Sequence, residues 1–115
     1  MIEACRVSLW DQLSDEERED LVRHVADALP TSGIPAHLMA GLLLYFSRGI
    51  LPGGFLQAVL CNDLEQAVTR AAPGALPALE PILTFLQEID PGRIYAWGSR
   101  ETVLAWTTTP DRLEL

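Results

Sequence analysis

The chain has 115 residues, 49% of them hydrophobic, with eight basic side chains against sixteen acidic ones and a formal net charge of −8. A chain of this length buries roughly two-thirds of its unfolded surface, which is enough for one core over residues 1–115 and no second domain. Every cation is an arginine and none sits in a basic cluster, so direct binding of nucleic acid is not expected. The most apolar stretch, Leu38 to Phe46, falls well short of the ~20 residues that span a membrane.

Taken in chain order, residues 2–10 are ambiguous. Cys5, Val7 and Leu9 alternate as in a strand, but nothing nearby offers a second strand. Ser14-Asp15-Glu16-Glu17 has the form of a capping box, in which Ser14 accepts from the Glu17 backbone and Glu17 reaches back. Its acids also suit the positive end of a helix dipole. Leu21, Val25, Ala28 and Leu29 then recur at helical spacing, beside Val22, until Pro30. The spacing predicts an amphipathic helix over 15–29.

Pro35 fits the first position of a second helix. Leu38, Leu42, Tyr45 and Phe46 share one side of it, and Met39, Leu43 and Leu44 widen the apolar face nearly all round, as in a central core helix. Gly49 is placed to cap its end in the left-handed conformation. Pro52-Gly53-Gly54 opens a short helix from Phe55 to about Cys61, and Asn62 with Glu65 three residues on reads as the next N-cap. Leu64, Ala67, Val68 and Ala71 form the expected buried stripe of that helix, which Pro73-Gly74 ends. Pro77 and Pro81 force the following helix to begin near 77–80, because an interior proline costs ~3 kcal/mol. Ile82, Leu83, Phe85, Leu86 and Ile89 are its core face and Asp90-Pro91-Gly92 its exit. Gly98-Ser99 caps a last helix carrying Val103, Leu104 and Trp106, and residues 107–115 read as a frayed tail. The expected fold is all-α: a compact, irregular bundle of five to six short helices.

Chemistry is sparse. His24 and His37 lie on different helices and match no zinc spacing. Asp20 and Asp27 share a helix face with His24, yet no nucleophile is placed to complete a catalytic set. A solvated surface is therefore the plainer reading of His24, and a partly buried structural role that of His37. Gly53-Gly54 precedes a helix N-terminus, but a phosphate loop requires a lysine and the chain has none. Cys5 and Cys61, with no secretory pattern before them, read as free thiols in a reducing cytoplasm. No catalytic residue, metal or cofactor is expected, and the chain reads as non-enzymatic.

The residues that stand out are those suited to meeting a partner. Asp15, Glu16, Glu17, Glu19, Asp20 and Asp27 give the first helix an acidic surface. The bland reading is the solvated start of a helix; the functional one is a patch facing a basic surface. Among the tryptophans, Trp106 reads as core. Trp97, in the turn-rich segment 94–98, is the expected exposed aromatic contact.

The string Ile34-Pro35, Gly49-Ile50-Leu51-Pro52-Gly53-Gly54-Phe55-Leu56-Gln57-Ala58-Val59-Leu60-Cys61-Asn62-Asp63-Leu64, with Phe85-Leu86, Gly98-Ser99 and Trp106, resembles a family of small helical proteins encoded by phages and prophages. The likeness covers residues 34–106; Leu51 replaces a proline of the pattern, and residues 1–33 form an acidic N-terminal extension. The resemblance implies a bacterial cytoplasmic location and carries no active site with it. In that setting the acidic charge points to a phage accessory protein that inhibits a host protein complex, such as an anti-CRISPR inhibitor directed at the basic nucleic-acid-binding surface of an effector. The alternative is a homo-oligomeric structural or regulatory phage module, motivated by the apolar helix 35–48. An anion site at Pro52-Gly53-Gly54 is a third reading.

Overall fold

Caps and breakers set the helix boundaries in the computed structural model, which describes residues 7–71, 74–89 and 96–113. Among the described residues there are seven α-helices and no strand: α1 (Leu9–Gln12), α2 (Asp15–Ala28), α3 (Ala36–Arg48), α4 (Gly54–Leu60), α5 (Leu64–Arg70), α6 (Leu79–Ile89) and α7 (Arg100–Trp106). The fold is all-α, with one helix more than expected. The addition is α1, which settles the ambiguity at Leu9 and Trp10. Ser8 caps it, accepting from the Asp11 amide at 3.0 Å. Cys5 and the other residues before Val7 lie outside the described residues, as does the exit at Asp90-Pro91-Gly92.

α2 begins as its sequence dictates. The Ser14 hydroxyl accepts from the Glu17 amide at 3.1 Å, and the Glu17 carboxylate accepts from the Ser14 amide at 2.8 Å. Leu21, Val25 and Leu29 are buried, and α2 packs on α3 and α6. The acidic segment before residue 34 is therefore built into the core. α3 starts one residue later than expected: Pro35 is its N-cap, and the Pro35 carbonyl accepts the first helical amides from Leu38 and Met39. Gly49 takes the left-handed cap at φ +69°. Only Leu42, Tyr45 and Phe46 of α3 are fully buried, and Leu44 is exposed.

Two expectations fail around α5. Asn62 does not cap it. Asn62 adopts φ +60° and ends α4 instead, with its own amide on the Val59 carbonyl and the Asp63 amide on the Ala58 carbonyl. This is a left-handed C-cap, a position that asparagine tolerates without a Cβ-branched clash. Asp63 takes over as the N-cap of α5, accepting from the Gln66 amide at 3.1 Å. The expected stripe is also turned: of Leu64, Ala67, Val68 and Ala71, only Ala67 is buried, whereas Leu64 and Val68 are 67% and 50% exposed. α5 leans on α4 through its smallest side chain.

The centre of the molecule is aromatic. Tyr45, Phe46, Phe85 and Trp106 are all at most 1% exposed, with ring centroids 5.4–6.4 Å apart, the range in which edge and tilted pairs are favourable. Their polar ends are satisfied: Trp106 Nε1 donates to the Tyr45 carbonyl at 2.9 Å and the Tyr45 hydroxyl to the Ala96 carbonyl at 2.5 Å.

The tail does not fray over its described length. Thr107 is fully buried; its hydroxyl donates to the Gly49 carbonyl at 2.6 Å, and the Thr108 amide donates to the same oxygen at 2.7 Å. Thr109 accepts from the Leu51 amide at 3.1 Å and Gln57 Nε2 donates to the Arg112 carbonyl at 3.2 Å. Carbonyls freed where α3 ends and chain leading into α4 thus bind the segment after α7. The radius of gyration, 13.7 Å, matches the ~13 Å of a close-packed chain this long. Among the described residues no helix is long and apolar enough to cross a membrane.

Candidate functional site

Burial of Leu21 and Val25 fixes the rotation of α2, and helical geometry then sends Glu16, Glu19, Asp20, Arg23 and Asp27 to the opposite side. All five are exposed. The six carboxylates singled out from sequence do not form one uniform patch, however. Glu17 is engaged by the capping box. Asp15 pairs with Arg18 at 3.4 Å and Asp20 with Arg23 at 2.8 Å. The Glu16, Glu19 and Asp27 carboxylates have no hydrogen bond or ion pair to another described residue, and of the six they are the ones still open to a partner.

The Asp20–Arg23 pair is solvated on both sides, with 68% and 64% of the side chains exposed. Pairs of this kind are worth roughly 0–1 kcal/mol, so an incoming cation competes easily for Asp20. Arg18 is a different case. Its Nε and Nη2 donate to the carbonyls of Trp10 at 3.2 Å and Asp11 at 2.6 Å, and its guanidinium carbon lies 4.4 Å from the Trp10 ring centre. Beside it an open groove of about 410 Å³ is lined by Trp10, Arg18, Glu19, Val22, Arg23 and Ser47. Sequence reasoning missed this contact, since nothing in the spacing of residues 10 and 18 brings two different helices together.

Trp97 is not the exposed contact expected of it. It is half-buried against the core, drawn in because the neighbouring Gly98 amide donates to the Leu60 carbonyl at 2.8 Å. His37 is a second correction: it lies exposed in the first turn of α3, where Leu38 and Met39 rather than His37 turn toward the core. His24 is exposed as well, and the Asp20 carboxylate beside it accepts from Arg23. Among the described residues no three His, Cys, Asp or Glu side chains converge as a metal set would. The Gly53-Gly54 turn delivers Phe55 into the core, where it is 8% exposed. Cys61 is a buried free thiol. Burial pushes it up from an ordinary value of 9.0 to about 11, with the Arg100 charge opposing that rise and the Asp63 charge adding to it.

No family model, curated protein or solved structure matches the chain.

Proposed function

We propose that the chain is a non-enzymatic binding protein that sets the outer face of α2 against a basic surface of a partner complex. The observation that carries this reading is the division of labour on α2. Asp15, Glu17 and Asp20 are engaged within the helix, whereas Glu16, Glu19 and Asp27 project outward from a helix whose other side is locked into the core. A rigid element presents charge with less entropy to lose on binding than a loose tail would. The net charge of −8 adds long-range steering toward a positive target.

The specific form of the proposal is a phage accessory protein acting in the cytoplasm of a bacterial host. There it inhibits a nucleic-acid-binding defence effector of the CRISPR type by covering the basic surface the nucleic acid needs. The motif likeness over residues 34–106 supports the setting, and the exposed acidic face supports the kind of target. A carboxylate surface this sparse cannot match the charge density of a duplex, which carries one charge per ~1.7 Å. Specificity then comes from pairing particular cations.

The test is capture of a bacterial complex by tagged protein at moderate salt, repeated with Glu16→Lys, Glu19→Lys and Asp27→Lys combined. One stoichiometric complex, lost in the triple variant while its helical spectrum is unchanged, is the expected result. Equal recovery with the variant removes α2 from the mechanism.

A further inference from the structure

Helix α1 is the shortest α-helix of the described fold. None of its four residues is fully buried, although Leu9 and Trp10 rest half-buried on the core. Among the described residues, beyond its neighbours Val7, Ser8 and Leu13, its hydrogen bonds to the chain come from one side chain: Arg18, on the Trp10 and Asp11 carbonyls at 3.2 and 2.6 Å. Two features make the docked state costly. Trp10 Nε1 is buried with no hydrogen-bond partner, the one such side-chain atom among the described residues. A donor in that position has lost its water and gained nothing in exchange. The groove of about 410 Å³ beside Trp10, Arg18 and Val22 also withholds packing contacts from the joint. A helix of one turn does not persist alone in water, so α1 melts whenever it leaves its seat.

We propose that α1, which packs on α7, is a clasp that opens and closes as a unit, with Arg18 of α2 as its catch, while the rest of the fold stays closed. Opening returns the indole N–H to water and frees Arg18 Nε and Nη2, while the Nη1 pairing with Asp15, local to α2, stays. Closing holds the guanidinium against the carbonyls and ring of α1. The position of α1 therefore sets the exposure of the Arg18 side chain, which is 27% in the closed state. Its effect on partner binding rests on the role proposed for α2, whereas the clasp does not.

Amide hydrogen exchange followed by NMR on the full chain, on Arg18→Met and on Trp10→Phe tests the clasp without any partner. The amides of Asp11, Gln12 and Leu13, bonded to Ser8 and Trp10 acceptors, are expected to exchange at least about 100-fold faster than those of α3. Arg18→Met keeps the packing stem and removes a charged donor, so it should speed exchange about tenfold in α1 alone. Trp10→Phe removes the orphaned donor and should slow exchange there. Exchange of α1 in step with α3, or an Arg18→Met effect shared equally by both, would overturn the clasp. Unchanged or faster α1 exchange in Trp10→Phe would overturn the role given to the indole.

Discussion

Thr107 and Cys61 are both buried groups with a polar atom, and they respond to opposite perturbations. The Thr107 hydroxyl donates to the Gly49 carbonyl at 2.6 Å and accepts from the Thr109 amide at 3.0 Å. Thr107→Val keeps the shape and removes these bonds, together with the 3.1 Å contact to the Thr109 hydroxyl. The Gly49 carbonyl retains the Thr108 amide, but the Thr109 amide loses that acceptor. The expected loss is ~1–3 kcal/mol, read from the urea midpoint with an unchanged denaturant slope. Cys61 has no such network to lose; its sensitivity is to pH. Burial raises the folded thiol from 9.0 to about 11. Between those values the unfolded chain releases the proton while the folded chain keeps it, so stability falls as pH rises through that window. Thermal midpoints of the wild type should decline from pH 9 toward 11 relative to those of Cys61→Ala, which lacks the titrating group. Parallel curves would refute the assignment to Cys61.

At the scale of elements, the joint between α3 and α4 depends on an absent side chain. A Cβ on Gly41 would come within 3.0 Å of Leu56 Cδ1 and 3.2 Å of Pro52 Cβ. Alanine is the better helix former by ~1 kcal/mol, and on propensity alone Gly41→Ala would stabilise α3. The contact reverses the sign: Leu56 is only 4% exposed and the Pro52 Cβ is fixed in its ring, so a neighbour has to shift and the variant should melt below wild type, as thermal unfolding will show. A higher midpoint would mean that Leu56 rotates aside freely. The same contrast between local and distant causes separates what was legible in the sequence from what was not. α2 was legible because Ser14 and Glu17 cap each other within four residues and Leu21, Val25 and Leu29 repeat at helical spacing. The cap at Gly49 was legible for the same local reason. The cap of α5 is misplaced at Asn62 because Asn62 and Asp63 are both capping residues, and the end of α4 competes with the start of α5 for them. The buried side of α5 depends on where α4 lies, which no periodicity in residues 64–71 encodes. The tail reads as free in sequence because its partners, Gly49, Leu51 and Gln57, lie more than 50 residues away. The candidate surface was half legible: its acids were evident and the pairs Asp15–Arg18 and Asp20–Arg23 lie at local i,i+3 spacing, but the seating of Arg18 on Trp10 required the packed helices.

For the whole molecule, the net charge and the apolar surface point to competing modes of association with opposite responses to salt. The attraction proposed between the acidic face of α2 and a basic partner is one that salt screens, over a Debye length of ~10 Å at 0.1 M. The apolar face that motivated self-assembly has largely disappeared into the core, since Leu38, Met39 and Leu43 are half-buried against it. The large apolar side chains exposed among the described residues are the pair Leu64 and Val68 on α5, with Val7, Leu44 and Leu76 elsewhere. Isolated exposed apolar side chains are normal on a soluble surface. Two copies, each carrying −8, also repel one another, so pairing through Leu64 and Val68 would strengthen as salt screens that repulsion. Docking through α2 would weaken under the same change. Sedimentation velocity and partner titration across a salt series therefore separate the two modes. We expect a monomer at every salt concentration and a partner affinity that falls steadily as salt rises. A dimer that grows with salt and is abolished by Leu64→Glu would instead establish α5 as the working interface. In that case the acidic face would serve to keep copies apart at low salt rather than to bind a target.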